Sequence, residues 1–208
     1  MKIYLTGSLF LIIASTNGLA QDTSKFIIQK TKKPIYAALN VSYTNKHFVY
    51  GFGALKGLRN NWSASIGIKW TVFNSPKMPA DYEPGLILFG NDGIPDDIYA
   101  FYSLSIAKDF NKKNHKVILG IEAGLTYLEN TISTNFTPQD RGTGLLSDWA
   151  SNYSYKLEKK RGAGLLVKPK LKFLLSKKIG IETSVWTILN KIENYYGFEV
   201  SLLIGRLR

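Results

Sequence analysis

The chain has 208 residues, no cysteine, and 27 Lys and Arg against 15 Asp and Glu, for a formal charge of +12. The missing cysteine excludes a disulfide framework, a lipid-anchored N-terminal cysteine and cysteine-ligated metals. The length is that of one domain once the N-terminal leader is set aside.

That leader is read in residues 1–20: Lys2 is the positive region, Leu9 to Ala14 the apolar run, and Gly18 and Ala20 the small residues ahead of Gln21. Cleavage is expected after Ala20. The apolar run is too short for a spanning helix, and no later window is apolar over the roughly 18 residues one requires. Any membrane crossing is therefore expected to be made of strands. The basic excess would suit nucleic acid, but an exported chain with its charges spread among turns is not expected to bind it.

After a basic lead-in, residues 21–34, that ends at Pro34, the predicted strands follow one another. The first, 35–43, sets Ile35, Ala37, Leu39, Val41 and Tyr43 on one face. The second, 48–55, sets Phe48, Tyr50, Phe52 and Ala54 against Gly51 and Gly53. The third, 62–73, alternates most plainly, with Trp62, Ala64, Ile66, Ile68, Trp70 and Val72 against Ser63, Ser65, Gly67, Lys69 and Thr71. A long irregular segment is expected over 74–97, punctuated by Pro76, Pro79, Pro84 and Pro95.

The fourth strand, 98–108, aligns Ala100, Tyr102, Leu104 and Ile106, and Asp109 to Asn114 reads as a turn. The fifth, 116–129, aligns Val117, Leu119, Ile121, Ala123, Leu125 and Tyr127. A second long loop is expected over 130–161. The sixth strand, 163–175, has Ala163, Leu165, Val167, Leu171 and Phe173 opposite Lys168, Lys170 and Lys172. The seventh is read over 179–189 and the eighth over 196–206, with Tyr196, Phe198, Val200, Leu202 and Ile204 aligned. An even number of strands puts both ends of the wall on one side, the two long loops on the other, and short connections on the first. That asymmetry fits short periplasmic turns and two long extracellular loops.

Alternation also fits a soluble, lipocalin-like barrel with its apolar face inward. The opposite face separates the two readings: it is mostly Gly, Ser and Ala with a few charges, too small for a wetted surface and suited to a narrow barrel interior. The inward charges hold both signs, so Glu122, Glu182 and Glu199 are expected to form a network with Lys168, Lys170 and Lys172, plugging the lumen. On the apolar face, aromatics gather near strand ends. Tyr43, Phe48, Tyr50, Trp70, Tyr102, Tyr127, Tyr196 and Phe198 fall at the outer level, and Trp62 and Phe173 at the inner, as girdles at headgroup depth. Trp186 falls on the inward register and Pro169 lacks a ladder donor, so a bulge or irregular edge is expected near each.

Over residues 35–208 the chain resembles the small eight-stranded outer-membrane barrels of Gram-negative bacteria, on this diffuse pattern of strands. The resemblance implies an all-β, antiparallel up-and-down transmembrane barrel in the cell outer membrane, monomeric, without a cofactor, inserted by the outer-membrane assembly machinery and surrounded by outer-membrane lipids. Members of the class often close on a terminal aromatic; here the last residues are Gly205, Arg206, Leu207 and Arg208.

Chemistry-bearing motifs are sparse. His47 sits in an outer turn and His115 in an inner one, and neither has a carboxylate partner by spacing, so a lipid-modifying enzyme is not favoured. The run from Asn91 to Asp97 resembles a fragment of an Asp-rich calcium repeat, which makes Asp92, Asp96 and Asp97 candidate cation ligands beside the plain reading of an Asx-type turn. Lysines and arginines concentrate on the inner rim, among them Lys56, Arg59, Lys112, Lys113, Lys177 and Lys178, where they meet phospholipid headgroups. The expected role is structural, adhesive or surface-recognising through the long loops. A narrow channel or transporter is the rival.

Overall fold

A computed structural model describes residues 33–85, 94–110, 116–140 and 151–207. The leader read over residues 1–20, most of the lead-in, His115, Lys112, Lys113 and Asp92 lie outside the described residues. Eight strands follow in order: β1 (Ile35–Thr44), β2 (Phe48–Gly57), β3 (Trp62–Asn74), β4 (Asp96–Asp109), β5 (Val117–Pro138), β6 (Tyr153–Leu174), β7 (Ile179–Asn190) and β8 (Tyr195–Arg206). Each pairs antiparallel with its neighbour in sequence, and β8 pairs back onto β1, so the sheet closes as an up-and-down barrel.

The closure is staggered. Ladder partners lead from Ile35 through Lys56, Ala64, Ile106, Ala123, Val167, Thr187 and Tyr196. The amide of Asn45 then donates to the Tyr196 carbonyl at 3.0 Å, so the walk returns to β1 displaced from Ile35 to Asn45. Such a shear obliges the strands to tilt by roughly 35–45° to the barrel axis.

Period-two writing decides which side faces out. In β3, Trp62, Ile66, Ile68, Trp70 and Val72 are exposed while Ser63 and Thr71 are buried. The outward face of every strand is apolar in this way, an exposure far beyond the patches of a soluble monomer and the reverse of a lipocalin. Water is the wrong solvent for that surface, whereas a hydrocarbon layer costs it nothing.

At one end the connections are 58–61, 110–116 and 175–178; at the other they are 45–47, 75–95, 139–152 and 191–194. The 58–61 turn uses Asn60 and Asn61 at φ 53° and 61°, a left-handed conformation that asparagine tolerates better than most residues. In 45–47, the Thr44 hydroxyl accepts from the amides of Lys46 (3.1 Å) and His47 (2.9 Å), holding the hairpin.

The main departure from the sequence reading is the segment 130–161. Only 139–152 connects the strands: β5 and β6 run on as a paired ribbon past the ends of β4 and β7, to Pro138 and Tyr153. Thr131, Ile132, Thr134, Tyr155 and Leu157 suit strands, but the ribbon lacks the continuous apolar face by which the wall strands are recognised. The ladder shifts register within it, between Thr134 and Thr137, where Asn135 takes a positive φ of 55°.

The irregularity expected at Pro169 and Trp186 takes another form. Val167 faces Thr187 and Lys170 faces Ser184 in one unbroken register, and the ladder to β7 is broken at Lys168 and Pro169 between them. Pro169 has no amide hydrogen, so the ladder is interrupted without inserting a residue. Asp109, read as part of a turn, closes β4 opposite Gly120.

Inside, two apolar clusters lie at different heights. Val49, Tyr99, Phe101, Leu128, Leu166, Trp186, Ile188 and Tyr195 pack toward the end that carries the ribbon. Tyr36, Leu55, Ile118, Leu174, Leu203 and Leu207 pack toward the end that carries the chain termini of the wall. The interior is thus bulkier than the Gly, Ser and Ala face read from the sequence, because the inward positions near both strand ends are large.

Candidate functional site

Between the two apolar clusters the lumen holds charge. Six side chains alternate in sign: Lys69 pairs with Glu199, Glu199 with Lys168 (2.6 Å), Lys168 with Glu182 (3.0 Å), Glu182 with Lys170 (3.9 Å) and Lys170 with Glu122 (2.5 Å). Serine hydroxyls complete the shells: Ser42 donates to Glu199 at 2.9 Å and Ser65 to Glu122 at 2.8 Å, with Ser105 also on Glu122. Three cations face three anions drawn from β3, β5, β6, β7 and β8, so each buried charge meets the opposite sign.

Lys172 stands apart from this chain. Although it lies across the ladder from Glu182, its ammonium binds both carboxylate oxygens of Asp109, at 2.9 Å each. Asp109 is a partner that sequence reasoning missed, because it was placed in a turn rather than on the inward register of β4. Lys69 also lies 4.3 Å from the Trp186 ring centre, joining the charged layer to the apolar cluster above it.

A cavity of about 50 Å³ adjoins this layer, lined in part by Tyr36, Asn40, Lys69, Glu122 and Lys170. It has room for a few water molecules. Apolar clusters on both sides and a neutralised layer between them occupy the described interior.

On the outward face the aromatic residues stand in cross-strand rows. Tyr43 faces Phe48 and Phe198, Tyr50 faces Trp70, and Tyr102 faces Tyr127. Trp62, Phe173 and Tyr196 are exposed on the same face. Lys108 lies 5.0 Å from the Trp62 ring centre and donates to the Asn60 carbonyl at 2.7 Å, at the end of the short turn 58–61.

Beyond the wall, the connection from β3 to β4 is tied to the β5–β6 ribbon. The Asn152 amide oxygen accepts from the Glu83 backbone N–H at 2.7 Å and its NH₂ donates to the Asp81 carbonyl at 2.6 Å. The Tyr153 hydroxyl sits 2.9 and 3.0 Å from the Asp81 carboxylate oxygens, and the Tyr82 ring packs on Phe136 and Tyr153. The two longest connections are therefore joined at this point, a contact between residues about seventy positions apart that no local pattern announces.

Of the candidate cation ligands Asp96 and Asp97 are described, and their carboxylates diverge. Asp96 and Asp97 are successive residues of β4 and point to opposite faces. The Asp97 carboxylate is buried and accepts the Ser133 amide at 2.8 Å. Asp96 and Asp97 already belong to the strand, paired opposite Asn74 and Phe73, while Asn91 to Gly93 of that run lie outside the described residues.

His47 stacks on Phe73 at 3.5 Å between ring centres, with Tyr99 at 6.2 Å. Partial burial lowers its pKa below the usual imidazole value, and the neighbouring Lys46 adds to this against opposing contributions from Asp97 and Glu193. The ring serves as an aromatic packing element at the mouth of the barrel.

No family model matches the chain, and no curated protein matches it. Solved structures do. The N-terminal barrel of Pseudomonas aeruginosa OprF aligns over 82% of this chain and 95% of its own, at 8% identity and a TM-score of 0.53. Neisserial surface protein A aligns over 82% and 94%, at 10% identity and a TM-score of 0.49. Ail of Yersinia pestis, solved with the heparin analogue sucrose octasulfate, aligns over 83% and 94%, at 13% identity and a TM-score of 0.44. With closure, stagger and outward apolar face all in place, the fold is that of the small eight-stranded outer-membrane barrels.

Proposed function

We propose that the chain is an integral outer-membrane barrel without enzymatic activity, which anchors the β5–β6 ribbon and its tied partner loop at the cell surface for a structural, adhesive or recognition role. The observation that carries this reading is the combination of an apolar outward belt with a plugged lumen. A belt of that kind requires lipid, and a lumen filled by Phe101, Leu128 and Trp186 above an ion-pair layer does not suit solute passage. What is left to meet the outside is the ribbon.

The orientation follows from loop asymmetry. The end carrying 75–95 and 139–152 is taken as external and the end carrying 58–61 and 175–178 as periplasmic, as in bacterial barrels generally. The chemistry available at the external end supports binding rather than turnover. Its histidine is stacked, and Asp97 is spent on a backbone amide.

Membrane fractionation with gel mobility before and after boiling tests the core of the proposal. The folded protein is expected in the outer-membrane fraction, migrating differently when unheated. Recovery in the aqueous fraction would overturn it. Planar-bilayer recording addresses the channel rival: the plugged lumen predicts no steady single-channel steps, and reproducible openings would favour transport.

A further inference from the structure

Beyond the wall the β5–β6 ribbon has two lateral edges, and they are finished differently. On the β5 edge, past the last ladder pair of Ile98 with Thr131, the Ser133 amide donates to the Asp97 carboxylate at 2.8 Å and the Ser75 hydroxyl donates to the Ser133 carbonyl at 3.5 Å. Side chains there supply the hydrogen bonds that β4 no longer gives. On the β6 edge, the Asn190 side chain donates to the Ala163 carbonyl at 2.8 Å, and nothing similar follows among the described residues.

Ladder geometry identifies the open groups. The Leu174 amide donates to the Lys116 carbonyl directly opposite, so even-numbered residues of β6 turn their N–H and C=O toward β5. The Leu175 amide donates to the Ile179 carbonyl, so odd-numbered residues turn theirs toward β7. The β7 ladder stops where Asn190 faces Gly164. Tyr155, Leu157, Lys159 and Arg161 therefore direct amides and carbonyls at an edge where no described residue bonds them. Such a row is a template for one more strand.

The side chains along this edge select the occupant. Lys156, Lys159, Lys160 and Arg161 stand against Glu158. Glu158 lies 3.4 Å from Lys160 and Glu129 3.4 Å from Arg161, which leaves the exposed Lys156 and Lys159 without an ion-pair partner among the described residues. A second copy pairing edge to edge would set this basic run against itself, a repulsion by which lysines guard exposed edges. An acidic strand meets attraction at the same positions, and the exposed Leu157 offers it an apolar contact.

We infer that the open edge of β6 receives an extended acidic segment of another protein, added as a strand along Tyr155 to Arg161 with a carboxylate beside Lys159. This deepens the proposed surface role by naming the class of partner, and it rests on that reading for the side of the membrane on which the partner is met.

The full chain, folded in detergent micelles, is mixed with a synthetic peptide of alternating Glu and Val, and amide hydrogen exchange is read residue by residue by nuclear magnetic resonance. Without peptide, the β5 ladder is expected to protect the amides of Lys156, Glu158 and Lys160, while those of Leu157, Lys159 and Arg161 exchange freely. At a peptide concentration about tenfold above its Kd, the second set is expected to slow about tenfold, since opening then requires dissociation. A peptide of alternating Lys and Val, and the acidic peptide N-methylated along its length, are expected to leave that set unchanged, the first by repulsion and the second for want of donors. Leu157→Pro removes one edge donor, keeps the charge and spares the β5 ladder, and it is expected to abolish the slowing. Unchanged exchange with the acidic peptide, or equal slowing by either control peptide or in the proline variant, would overturn the inference. Slowing that grows with protein concentration in the absence of peptide would make a second copy the occupant and overturn it equally. Recovery of the chain outside the outer membrane would instead overturn the orientation, which fractionation reads separately from peptide binding.

Discussion

Glu122 lies directly opposite Lys168 in the β5–β6 ladder, yet its carboxylate takes the ammonium of Lys170, at 2.5 Å. The diagonal choice leaves Lys168 free to bridge Glu182 and Glu199, so one residue's preference sets the connectivity of the whole charged layer. Diagonal partners are within reach of long side chains in a twisted, tilted sheet.

Breaking that pair on one side leaves a charge without its nearest partner in a low-dielectric interior. Lys170→Met is expected to cost about 3–5 kcal/mol, while Glu122→Gln combined with Lys170→Met recovers most of the loss, since a buried pair contributes little net stability beyond its own neutralisation. Urea unfolding in lipid vesicles, followed by tryptophan fluorescence, measures both variants. A single variant as stable as the parent would show that water reaches this layer and solvates Glu122.

The ties beyond the wall offer a second test. Asn152 makes two hydrogen bonds to the 75–85 segment through one side chain, and each such bond contributes about 0.5–1.5 kcal/mol. Asn152→Ala is expected to free the Glu83 amide, while the Asn152 backbone still holds the Glu83 carbonyl, and to speed hydrogen exchange at that amide about fivefold or more, with wall amides unchanged. Unchanged exchange at Glu83 would mean that the Asn152 backbone, the Tyr153 hydroxyl on Asp81 and the stacked rings hold the connection without the Asn152 side chain.

Strand number, direction and facing were legible because lipid on one side and a narrow lumen on the other impose opposite demands on alternate residues. Trp62 to Val72 shows both demands within one strand. The inward positions of Lys168, Lys170 and Lys172 follow from the same parity, but their partners do not, because parity fixes a face and not a height around a staggered barrel. Asp109 escaped for that reason, and because the residues after it read as a turn. The ribbon escaped because, above the belt, no apolar face is required of Thr131 to Pro138 or of Tyr153 to Arg161. Tyr99 and Phe101 sit on the inward register of β4, where the same parity places them among smaller residues.

His47 gives a pH prediction outside the membrane-spanning wall. Its pKa in the folded protein is lowered, first by partial burial against Phe73 and then by Lys46. The unfolded chain therefore binds the proton more readily, so stability rises with pH through the window below the normal value of about 6.5 and falls as pH drops through the folded value. Nuclear magnetic resonance titration of the His47 ring is expected to give a midpoint below that of a free imidazole, and His47→Phe to keep the stack and remove the pH dependence. A midpoint at or above the free value would show that Asp97 and Glu193 dominate the site.

Close approach between strands limits what the interior can accept, and β5 shows this with adjacent residues. A Cβ added at Gly124 would lie 2.3 Å from the Leu104 carbonyl oxygen and 2.4 Å from the Ser105 Cβ, so the β4 backbone itself would have to move. Ala123, the residue before it, is on the outward face and meets lipid instead. Overpacking of this kind costs about 1–3 kcal/mol, and here it also displaces Ser105 from Glu122, which loses a donor in the charged layer. Gly124→Val is therefore expected to abolish the folded, heat-modifiable band, while Ala123→Val assembles like the parent. Equal assembly of the two variants would mean that the outward apolar face alone drives closure and the lumen repacks around whatever it is given.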